Sequence, residues 1–438
     1  MKIGFLAMSG IRAHDKELLK LGLTLPGFVE RSRAIASLPS LGLLYLAAST
    51  PHGHDLHYFE AESAGTEPPD VATCDLVAIS TFSAQIFEAY EIADRLRQKG
   101  VKVALGGLHV SVLPDEALPH ADFVVVGEGE NVWPAVVRAA MNGGAGGIFR
   151  STDFAQVDVA ELPVPRYDLL GDRPYNRYTV QATRGCPWRC DFCASSVMLQ
   201  MPYRRRPVEH VVRDIRAILK LHPSAFIEFA DDNTFVDKLW GKALCRALIP
   251  LKIKWFTETD ITVADDPELL DLMRQSGCRQ VLIGLESPSA GALAGVEQRA
   301  DIKTKWAARY GGAVREIQSR GVTVNTCFIL GLDGHTPGIF EEVLRFAEEA
   351  NPFDVQVTLL TPFPGTALYE RLAAEGRILH PGAWNLCTLF DVNFRPSGMT
   401  PQELRAGIYW LSERLYSGEA TRRRRKEFFS QFNPHMHS

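Results

Sequence analysis

Short runs of apolar, often β-branched residues alternate with amphipathic helical patterns over residues 1 to about 145. The five candidate strands cover 2–8, 55–61, 75–81, 101–107 and 122–128. After the third of these, Tyr90, Ala93 and Leu96 recur near helical spacing, and Lys99-Gly100 marks the end of that helix. This alternation predicts a parallel sheet covered by helices, with ligands bound beyond the C-terminal ends of its strands.

A second region follows a segment rich in glycine and proline, which comprises 141–147 (MNGGAGG) and 161–168 (ELPVPRYD). From residue 178 onward there are six strand candidates, each followed by an amphipathic stretch: YTVQAT, FIEFA, KWFTETD, QVLIGLE, VTVNTCFIL and DVQVTLLT. Six successive strand–helix units predict a partial (β/α)6 barrel. We expect its chemistry at the C-terminal ends of the strands.

The last sixty or so residues predict a small helical extension. Thr400-Pro401-Gln402-Glu403 is a capping box with proline at the first helical position, and leucine and isoleucine then recur at helical spacing. The basic run Arg422 to Lys426 is interpreted as a solvated tail without a function. The expected division is a first domain at 1–150, a linker at 151–175, the barrel at 176–376 and the extension at 377–438.

Composition narrows the classes of partner. Apolar residues make up 46% of the chain and charged residues 23%, and no apolar run reaches the ~20 residues that a membrane helix needs. The N-terminus lacks the features of a secretory signal, which favours the cytoplasm. The net charge of −5 gives no overall attraction to nucleic acid. We therefore expect a cytoplasmic, globular protein with a small-molecule substrate, no nucleic-acid partner and no membrane span.

Three of the eight cysteines are clustered. Cys186, Cys190 and Cys193 have the spacing C-x3-C-x2-C directly after a predicted strand, and the next cysteine is Cys245. Three thiolates on one loop can hold three corners of a four-iron cluster and leave one iron open for a ligand. A zinc site is the alternative, but zinc takes four ligands and the neighbouring sequence offers no second pair. The five scattered cysteines are predicted to be buried core residues.

The loop CPWRCDFC, placed after the first strand of a six-unit barrel, resembles the radical S-adenosylmethionine superfamily. The resemblance implies a 4Fe-4S cluster on Cys186, Cys190 and Cys193, whose open iron binds the methionine part of S-adenosylmethionine. One-electron reduction of that complex yields a 5′-deoxyadenosyl radical, which abstracts hydrogen from a substrate. The electron would come from a donor such as flavodoxin or ferredoxin. Phe192 matches the family's aromatic residue near the adenine.

The same resemblance assigns further contacts with S-adenosylmethionine to the strand ends. Asp231 would meet the methionine ammonium, and Glu286 and Ser287 would lie near the ribose. Gly331 would lie beside the adenine, and Thr361 opens the loop 361–366, which is frequent in the family. For each position the alternative is an ordinary rim residue or helix cap of a barrel.

A flavodoxin-like (Rossmann-like) domain before the barrel, and the tail FRPSGMTPQELRAGIYW after it, resemble the cobalamin-binding class of this superfamily. The strand ends that match its cobalamin contacts are Ser80, Thr81, Gly106, Gly107, Gly127 and Glu128. Small residues there would let the bulky cofactor approach the backbone. The motif D-x-H-x-x-G is absent, so histidine ligation of cobalt is not expected, and His14 and His109, the nearest alternatives, are interpreted as ordinary loop residues.

The resemblance implies methyl transfer to an unactivated carbon or phosphorus of a small-molecule natural product or lipid precursor. The alternatives are a cobalamin-dependent cyclase or rearrangement enzyme, a radical enzyme without cobalamin, and a non-catalytic iron–sulfur electron carrier. An electron carrier needs no open iron and no cofactor-sized barrel. A tRNA methylthiolase would need three N-terminal cysteines for a second cluster, and only Cys74 precedes Cys186.

Overall fold

The computed structural model describes residues 1–10, 12–24, 38–195 and 202–431. Within these ranges the first sheet has six parallel strands: β1 (Lys2–Met8), β2 (Asp55–Ala61), β3 (Leu76–Ser80), β4 (Lys102–Gly106), β5 (Phe123–Val126) and β6 (Gly147–Arg150). Their order is β2-β1-β3-β4-β5-β6, a flavodoxin-like arrangement. The five predicted strands are confirmed, and β6 is an additional strand.

Helices flank this sheet because each has an apolar face that it buries against the strands. They are α1 (Lys16–Thr24), α2 (Leu41–Ala48), α3 (Ile86–Gln98), α4 (Leu108–Val112), α5 (Pro114–Ala117) and α6 (Trp133–Met141). Helix α3 has the predicted position and ends just before Lys99-Gly100. The Gly-rich segment 141–147, interpreted from the sequence as part of a linker, instead ends α6 and begins β6.

The second large sheet is also parallel throughout. In chain order the strands of this region are β7 (Tyr178–Val180), β8 (Thr183–Arg184), β9 (Arg204–Arg205), β10 (Phe226–Phe229), β11 (Lys254–Thr259), β12 (Cys278–Glu286), β13 (Thr323–Leu330) and β14 (Asp354–Leu359). The order in the sheet is β14-β13-β12-β11-β10-β7, whereas β8 and β9 form a short antiparallel pair. With β7 and β14 as its edges, the sheet forms the predicted partial barrel.

The helices of the barrel are α7 (Val208–Leu221), α8 (Lys238–Leu248), α9 (Pro267–Gln275), α10 (Ala290–Leu293), α11 (Ile302–Trp306), α12 (Tyr310–Ser319), α13 (Ile339–Ala350) and α14 (Ala367–Ala374). The extension adds α15 (Pro401–Leu415) and α16 (Gly418–Ser430). The predicted capping box is present, because the Thr400 hydroxyl accepts from the Glu403 backbone and the Glu403 side chain accepts in return. Short 3-10 helices lie at Pro69–Thr73, Ser83–Gln85, Leu118–His120, Ser151–Asp153, Tyr167–Leu170, Ile249–Leu251, Ile261–Asp265, Ala307–Arg309 and Trp384–Leu386.

Two expectations are wrong in part. The run Arg422 to Lys426 lies within α16 and not in an irregular tail, and Arg424 is buried and donates to the Leu415 carbonyl, whereas Arg422, Arg423 and Lys426 are exposed as expected. Cys327 is only half-buried, since it points to the side of β13 opposite Phe328, which packs on α13. The other four scattered cysteines are buried, as predicted.

One continuous apolar core joins both sheets. It includes Phe5 of β1, Trp133 of α6, Val180 of β7 and Phe328 of β13. The two sheets therefore pack as one body, and the C-terminal edge of the first faces the start of the barrel. None of the helices in the described ranges is long and apolar enough to cross a membrane.

Candidate functional site

The cysteine loop begins where β8 ends. Gly185 has φ +84, which favours glycine, and it starts the turn that carries Cys186. The Cys193 backbone N–H donates to the Cys190 carbonyl at 3.1 Å, and Asp191 donates to Val296 at 2.9 Å. The loop is thus held against the segment that follows α10.

Glu297 fastens this loop from the other side. Its carboxylate accepts from the backbone N–H groups of Arg189, Arg299 and Ala300 at 3.2, 2.8 and 2.7 Å. Although burial raises its pKa, these donors outweigh burial and hold the pKa of Glu297 below its usual value. Glu297 is therefore an ionised anchor that fixes the shape of the cysteine loop.

The three thiols suit an iron–sulfur cluster. None of the eight cysteines, all of them described, is in a disulfide, and Cys186, Cys190 and Cys193 are half-buried. Burial raises the pKa of Cys186 to about 11 and that of Cys190 still further, so a cationic metal centre is needed to hold them as thiolates. Among the described residues, no three His, Cys, Asp or Glu side chains converge closely enough for a single metal ion. Three thiols on one loop remain a suitable donor set for three separate irons.

The structure places the residues predicted to contact S-adenosylmethionine unevenly. Phe192 lies within the cysteine loop and packs half-buried on the core. Asp231 is buried and accepts from the backbone N–H groups of Ala182 and Thr183 at 2.8 and 3.0 Å. Those bonds occupy Asp231 inside the protein, and burial raises its pKa to about 6. This placement does not present Asp231 to a ligand.

Its neighbour Asp232 does line the large cleft described below. The Asp232 carboxylate accepts the Gly185 backbone N–H at 3.2 Å and the Ser195 hydroxyl. Asp232 thus connects the end of β10 to both ends of the cysteine loop. Of these two adjacent carboxylates, Asp232 lines the cleft and Asp231, the residue predicted to contact S-adenosylmethionine, does not.

The remaining strand ends are close-packed. Ser287 is fully buried. His335 Nδ1 accepts the Gly331 N–H at 3.2 Å, so the ring proton is on Nε2, which donates to the Ser287 hydroxyl at 2.9 Å. Gly331 has φ +95, and a Cβ there would lie 2.8 Å from the Phe394 ring. The Thr361 hydroxyl is buried and donates to the Leu359 carbonyl. These three side chains or positions are thus occupied by contacts within the protein, and their contacts with S-adenosylmethionine stay predictions.

A cleft of about 330 Å³ lies between α2 and the C-terminal ends of β3, β4 and β5. It is lined by five of the six residues predicted to contact cobalamin: Ser80, Gly106, Gly107, Gly127 and Glu128. Thr81 is the exception, since it is buried behind Gly107. Ser195, Ala230 and Asp232 of the barrel line the same cleft. The wall is mostly apolar, and Gly106 leaves room that a larger side chain would fill.

Ion pairs form one end of this cleft. Arg184 is 8% exposed and donates to Glu128 at 2.5 Å and to Glu130 at 2.7 Å. Arg204 donates to Glu128 at 2.7 Å. Burial lowers the pKa of Arg184, but the two carboxylates outweigh burial and raise it. These pairs, called here the Arg184 network, join the loop after β5 to the residue before Gly185 and the cysteines.

The two candidate histidines lie away from the cleft lining. His109 is fully buried, with Nδ1 bonded to Ser83 at 3.0 Å and Nε2 to Glu116 at 3.2 Å. His14 is placed by its backbone N–H, which donates to Asp391. His109 is a buried residue of the short helix α4 and not a loop residue, as had been expected.

Sequence models agree with this arrangement of domains. Residues 34–137 match the B12 binding domain, residues 180–347 match the radical SAM superfamily, and residues 366–438 match a domain of unknown function. Residues of both the first and the second match line the cleft, and the cysteine loop lies in the second. The fold and the site together define a radical S-adenosylmethionine enzyme.

The chain is similar to individual proteins of known name. The chain is 29% identical to an uncharacterized methyltransferase of Synechocystis, over 82% of this chain and 67% of that protein. It is 25% identical to the anaerobic magnesium-protoporphyrin IX monomethyl ester cyclase of Cereibacter sphaeroides, over 82% and 62%. The structure of the radical methyltransferase TsrM from Kitasatospora setae, with cobalamin and a 4Fe-4S cluster bound, shares the fold (TM-score 0.62, 14% identity, 93% and 85% covered).

The protein therefore belongs to the class of radical S-adenosylmethionine enzymes that carry a B12-binding domain. Membership implies a 4Fe-4S cluster, S-adenosylmethionine and cobalamin as cofactors. Arg184, Asp232 and Glu297 were not identified from the sequence. Of these, Asp232 had a sequence signal, because it directly follows Asp231, which had been singled out.

Proposed function

We propose that this enzyme transfers a methyl group to an unactivated carbon or phosphorus of a small molecule. The observation that carries the proposal is the cleft shared by the two domains. Gly106 and Gly127 of the first sheet and Ala230 and Asp232 of the barrel line one cavity, so a ligand of the B12-binding domain would face the radical-generating loop. Methyl donation and hydrogen abstraction need this proximity.

When bound, the cluster and S-adenosylmethionine supply a carbon radical, and cobalamin supplies the methyl group. The protein's own residues build the surroundings. Cys186, Cys190 and Cys193 would hold the cluster, on a loop that Glu297 fixes. Gly106 leaves space for the cofactor in the cleft, and the Arg184 network holds the two binding loops at a constant separation.

Isotopic labelling tests the proposal. Reconstituted protein, which should bind about four irons per chain, would be incubated under reducing, anaerobic conditions with cobalamin, methyl-labelled S-adenosylmethionine and candidate small molecules chosen from neighbouring genes. Label in a product, accompanied by S-adenosylhomocysteine and 5′-deoxyadenosine, is the expected result. Cleavage of S-adenosylmethionine by protein that takes up no cobalamin would refute methyl transfer.

Ring formation is the second candidate, because the chain is also similar to an anaerobic cyclase. The two functions differ in the fate of the methyl group. A cyclase would form 5′-deoxyadenosine and a cyclised product, without S-adenosylhomocysteine and without transfer of label. The same incubation therefore distinguishes them.

The electron donor we propose is an acidic flavodoxin or ferredoxin in the cytoplasm. Arg189 and Arg299 are exposed beside the cysteine loop, and Arg299 donates to the Pro187 carbonyl at 3.0 Å. Cations at that surface would attract an acidic donor. Free thiols throughout the chain agree with a reducing compartment. Arg299→Glu should raise the KM for reduced flavodoxin and leave the rate with dithionite unchanged. A KM for reduced flavodoxin equal to that of the wild type would contradict this docking site.

A further inference from the structure

The inner face of the partial barrel is more accessible than the outer face of the same strands. On β11 to β14 these outward-facing residues are buried: Thr257, Val281, Phe328 and Val357. Their neighbours in the chain face the barrel interior and are exposed or half-buried: Glu258, Leu282, Cys327 and Gln356. The interior at this level is therefore an accessible lumen and not a filled core.

The cysteine loop lies across the mouth of this lumen. It begins after β8, beside β7, which is the first strand of the barrel. The Asp191 N–H donates to the Val296 carbonyl at 2.9 Å, and the Leu368 N–H donates to the Asp191 carbonyl at 3.0 Å. Val296 follows β12 and α10, and Leu368 lies in α14, which follows β14. A molecule in the lumen would therefore lie directly beneath the candidate cluster ligands.

Polar side chains at the base of the lumen are paired with one another. Arg177 donates to Glu228 at 2.9 Å, and its guanidinium lies 4.6 Å from the centre of the Phe256 ring. Gln280 donates to Asp354 at 2.7 Å. The base thus satisfies its own hydrogen bonds.

Charged side chains nearer the mouth are also paired. Lys303 of α11 donates to the Glu286 carboxylate at 2.6 Å and to the Gly284 carbonyl at 2.9 Å. Gly284 leaves the space that this carboxylate fills, and it pairs in register with Cys327. The predicted contact of Glu286 with a ribose stays a prediction.

Between these two levels lie two amides whose oxygens have no partner. Asn325 is 7% exposed, and its Oδ1 atom is buried without a hydrogen-bond partner among the described residues. Gln356 Oε1 is in the same situation. Asn325 pairs in register with Asp354, and Gln356 lies two residues further along β14, so the amides are diagonal neighbours on one wall. Because a buried acceptor without a donor is costly and rare, this wall is suited to a ligand that donates.

The rest of the wall narrows the chemistry of that ligand. Leu282 pairs in register with Asn325 on one side and with Glu258 on the other. The wall thus combines an apolar patch, a carboxylate and two amides. A hydroxyl or amide group can donate to an amide oxygen and accept from an amide N–H. A hydrocarbon would leave the buried oxygens unpaired, and an anion would be repelled by Glu258.

We propose that this lumen binds the methyl acceptor and that Asn325, with Gln356 beside it, determines its class: a small molecule that presents hydroxyl or amide groups to the wall. The inference deepens the proposed function, on which the identity of the ligand as methyl acceptor rests. Asn325 acts by binding and orienting the ligand beneath the cysteine loop.

Protection of Cys327 from alkylation measures occupancy of the lumen, because Cys327 faces it and pairs in register with Gln356. The probes are phenol and toluene, which have nearly the same shape and differ in a hydroxyl group. Anaerobic, reconstituted protein would be treated with iodoacetamide at increasing concentrations of either probe, and modification of Cys327 would be followed by mass spectrometry. In Asn325→Leu the ratio of the two half-protecting concentrations should shift about tenfold toward toluene, since one hydrogen bond is lost. Gln356→Met should shift it in the same direction.

The melting temperature distinguishes recognition from a structural role. Asn325→Leu removes a buried acceptor that has no partner, so the variant should melt at or above the wild-type temperature while its probe ratio changes. Asn142→Leu is the matched control, because Asn142 is exposed at the end of α6 in the first domain. Its probe ratio should equal that of the wild type.

Three results would overturn the inference: a Cys327 that reacts only in unfolded protein, no protection by either probe, or an unchanged ratio in Asn325→Leu. If Asn325→Leu does not fold, the shift in Gln356→Met decides alone. These measurements require no turnover. Probe binding as expected in a protein that transfers no methyl group would overturn the proposed function alone, whereas methyl transfer with an unchanged probe ratio would overturn only the role of Asn325.

Discussion

Removal of the Arg184 side-chain charge should destabilise the protein more than the loss of any single surface ion pair. Arg184→Met keeps an unbranched chain of similar length but leaves Glu130, whose side chain is 10% exposed, without its ion-pair partner. Glu128 keeps Arg204 at 2.7 Å. Loss of one partner from a buried pair costs ~3–5 kcal/mol. Because one of the two glutamates remains paired, we expect a loss at the lower end, about 3 kcal/mol.

Urea unfolding followed by tryptophan fluorescence would measure this loss as a lower midpoint at an unchanged slope. Glu130→Gln in the Arg184→Met background should recover part of it, since it removes the unpaired charge. Arg423→Met is the matched control: its pair with Glu348 is about half exposed on both sides and should contribute less than about 0.5 kcal/mol. A loss below about 1 kcal/mol for Arg184→Met, or strict additivity with Glu130→Gln, would refute the reasoning.

Three further results are expected. Gly106→Val should lower cobalamin uptake while the free protein stays folded, because a Cβ at Gly106 meets nothing closer than 3.7 Å. Gly107→Val should instead destabilise the fold, since φ is +102 and its Cβ would lie 2.6 Å from a backbone oxygen. A spectroscopic assay of cobalamin uptake and a melting curve check both variants. Cys190→Ala should abolish 5′-deoxyadenosine formation, whereas the buried thiol of Cys278 can be replaced by alanine with activity retained; product analysis that finds the reverse would contradict the cluster assignment. Burial lowers the pKa of His335 from 6.5 to about 4, so neutral His335 contributes its full stability above about pH 6.5 and this stability is lost as the pH falls toward 4. The loss amounts to about 3 kcal/mol. His335→Gln should remove that part of the pH dependence of urea unfolding.

The strand positions could be predicted because each depends on local pattern. Runs such as 75–81 and 122–128 are apolar over the length of one strand, and the structure confirms them to within one or two residues. Strand β6 was not predicted, because it begins at Gly147, the last residue of a glycine-rich segment. The pairing of β6 with β5 joins residues distant in the chain, and no local pattern indicates it. The basic run 422–426 was misinterpreted for the same reason: only the packing of α16 on α15 decides that Arg424 is buried.

The candidate site also combines residues that local spacing predicts with residues that only packing brings together. Three cysteines within eight residues must share one loop, so the candidate cluster ligands could be predicted from spacing alone. Five of the six residues predicted to contact cobalamin line one cleft, which could be expected because parallel strands present their C-terminal ends at one edge. Which of Asp231 and Asp232 lines the cleft could not be predicted, because it depends on which carboxylate accepts the backbone N–H groups of Ala182 and Thr183.

The sequence by itself determined the class of the protein: two parallel sheets in succession, a three-cysteine loop at the start of the second, and small residues at the strand ends of the first. Tertiary structure alone decided which charges meet. Arg184 donates to Glu128 and Glu130, which lie 56 and 54 positions away in the chain, and Lys303 donates to Glu286, which lies 17 positions away. Periodicity and spacing report on neighbours along the chain, whereas ion pairs form between side chains that only the packing of the domains brings together.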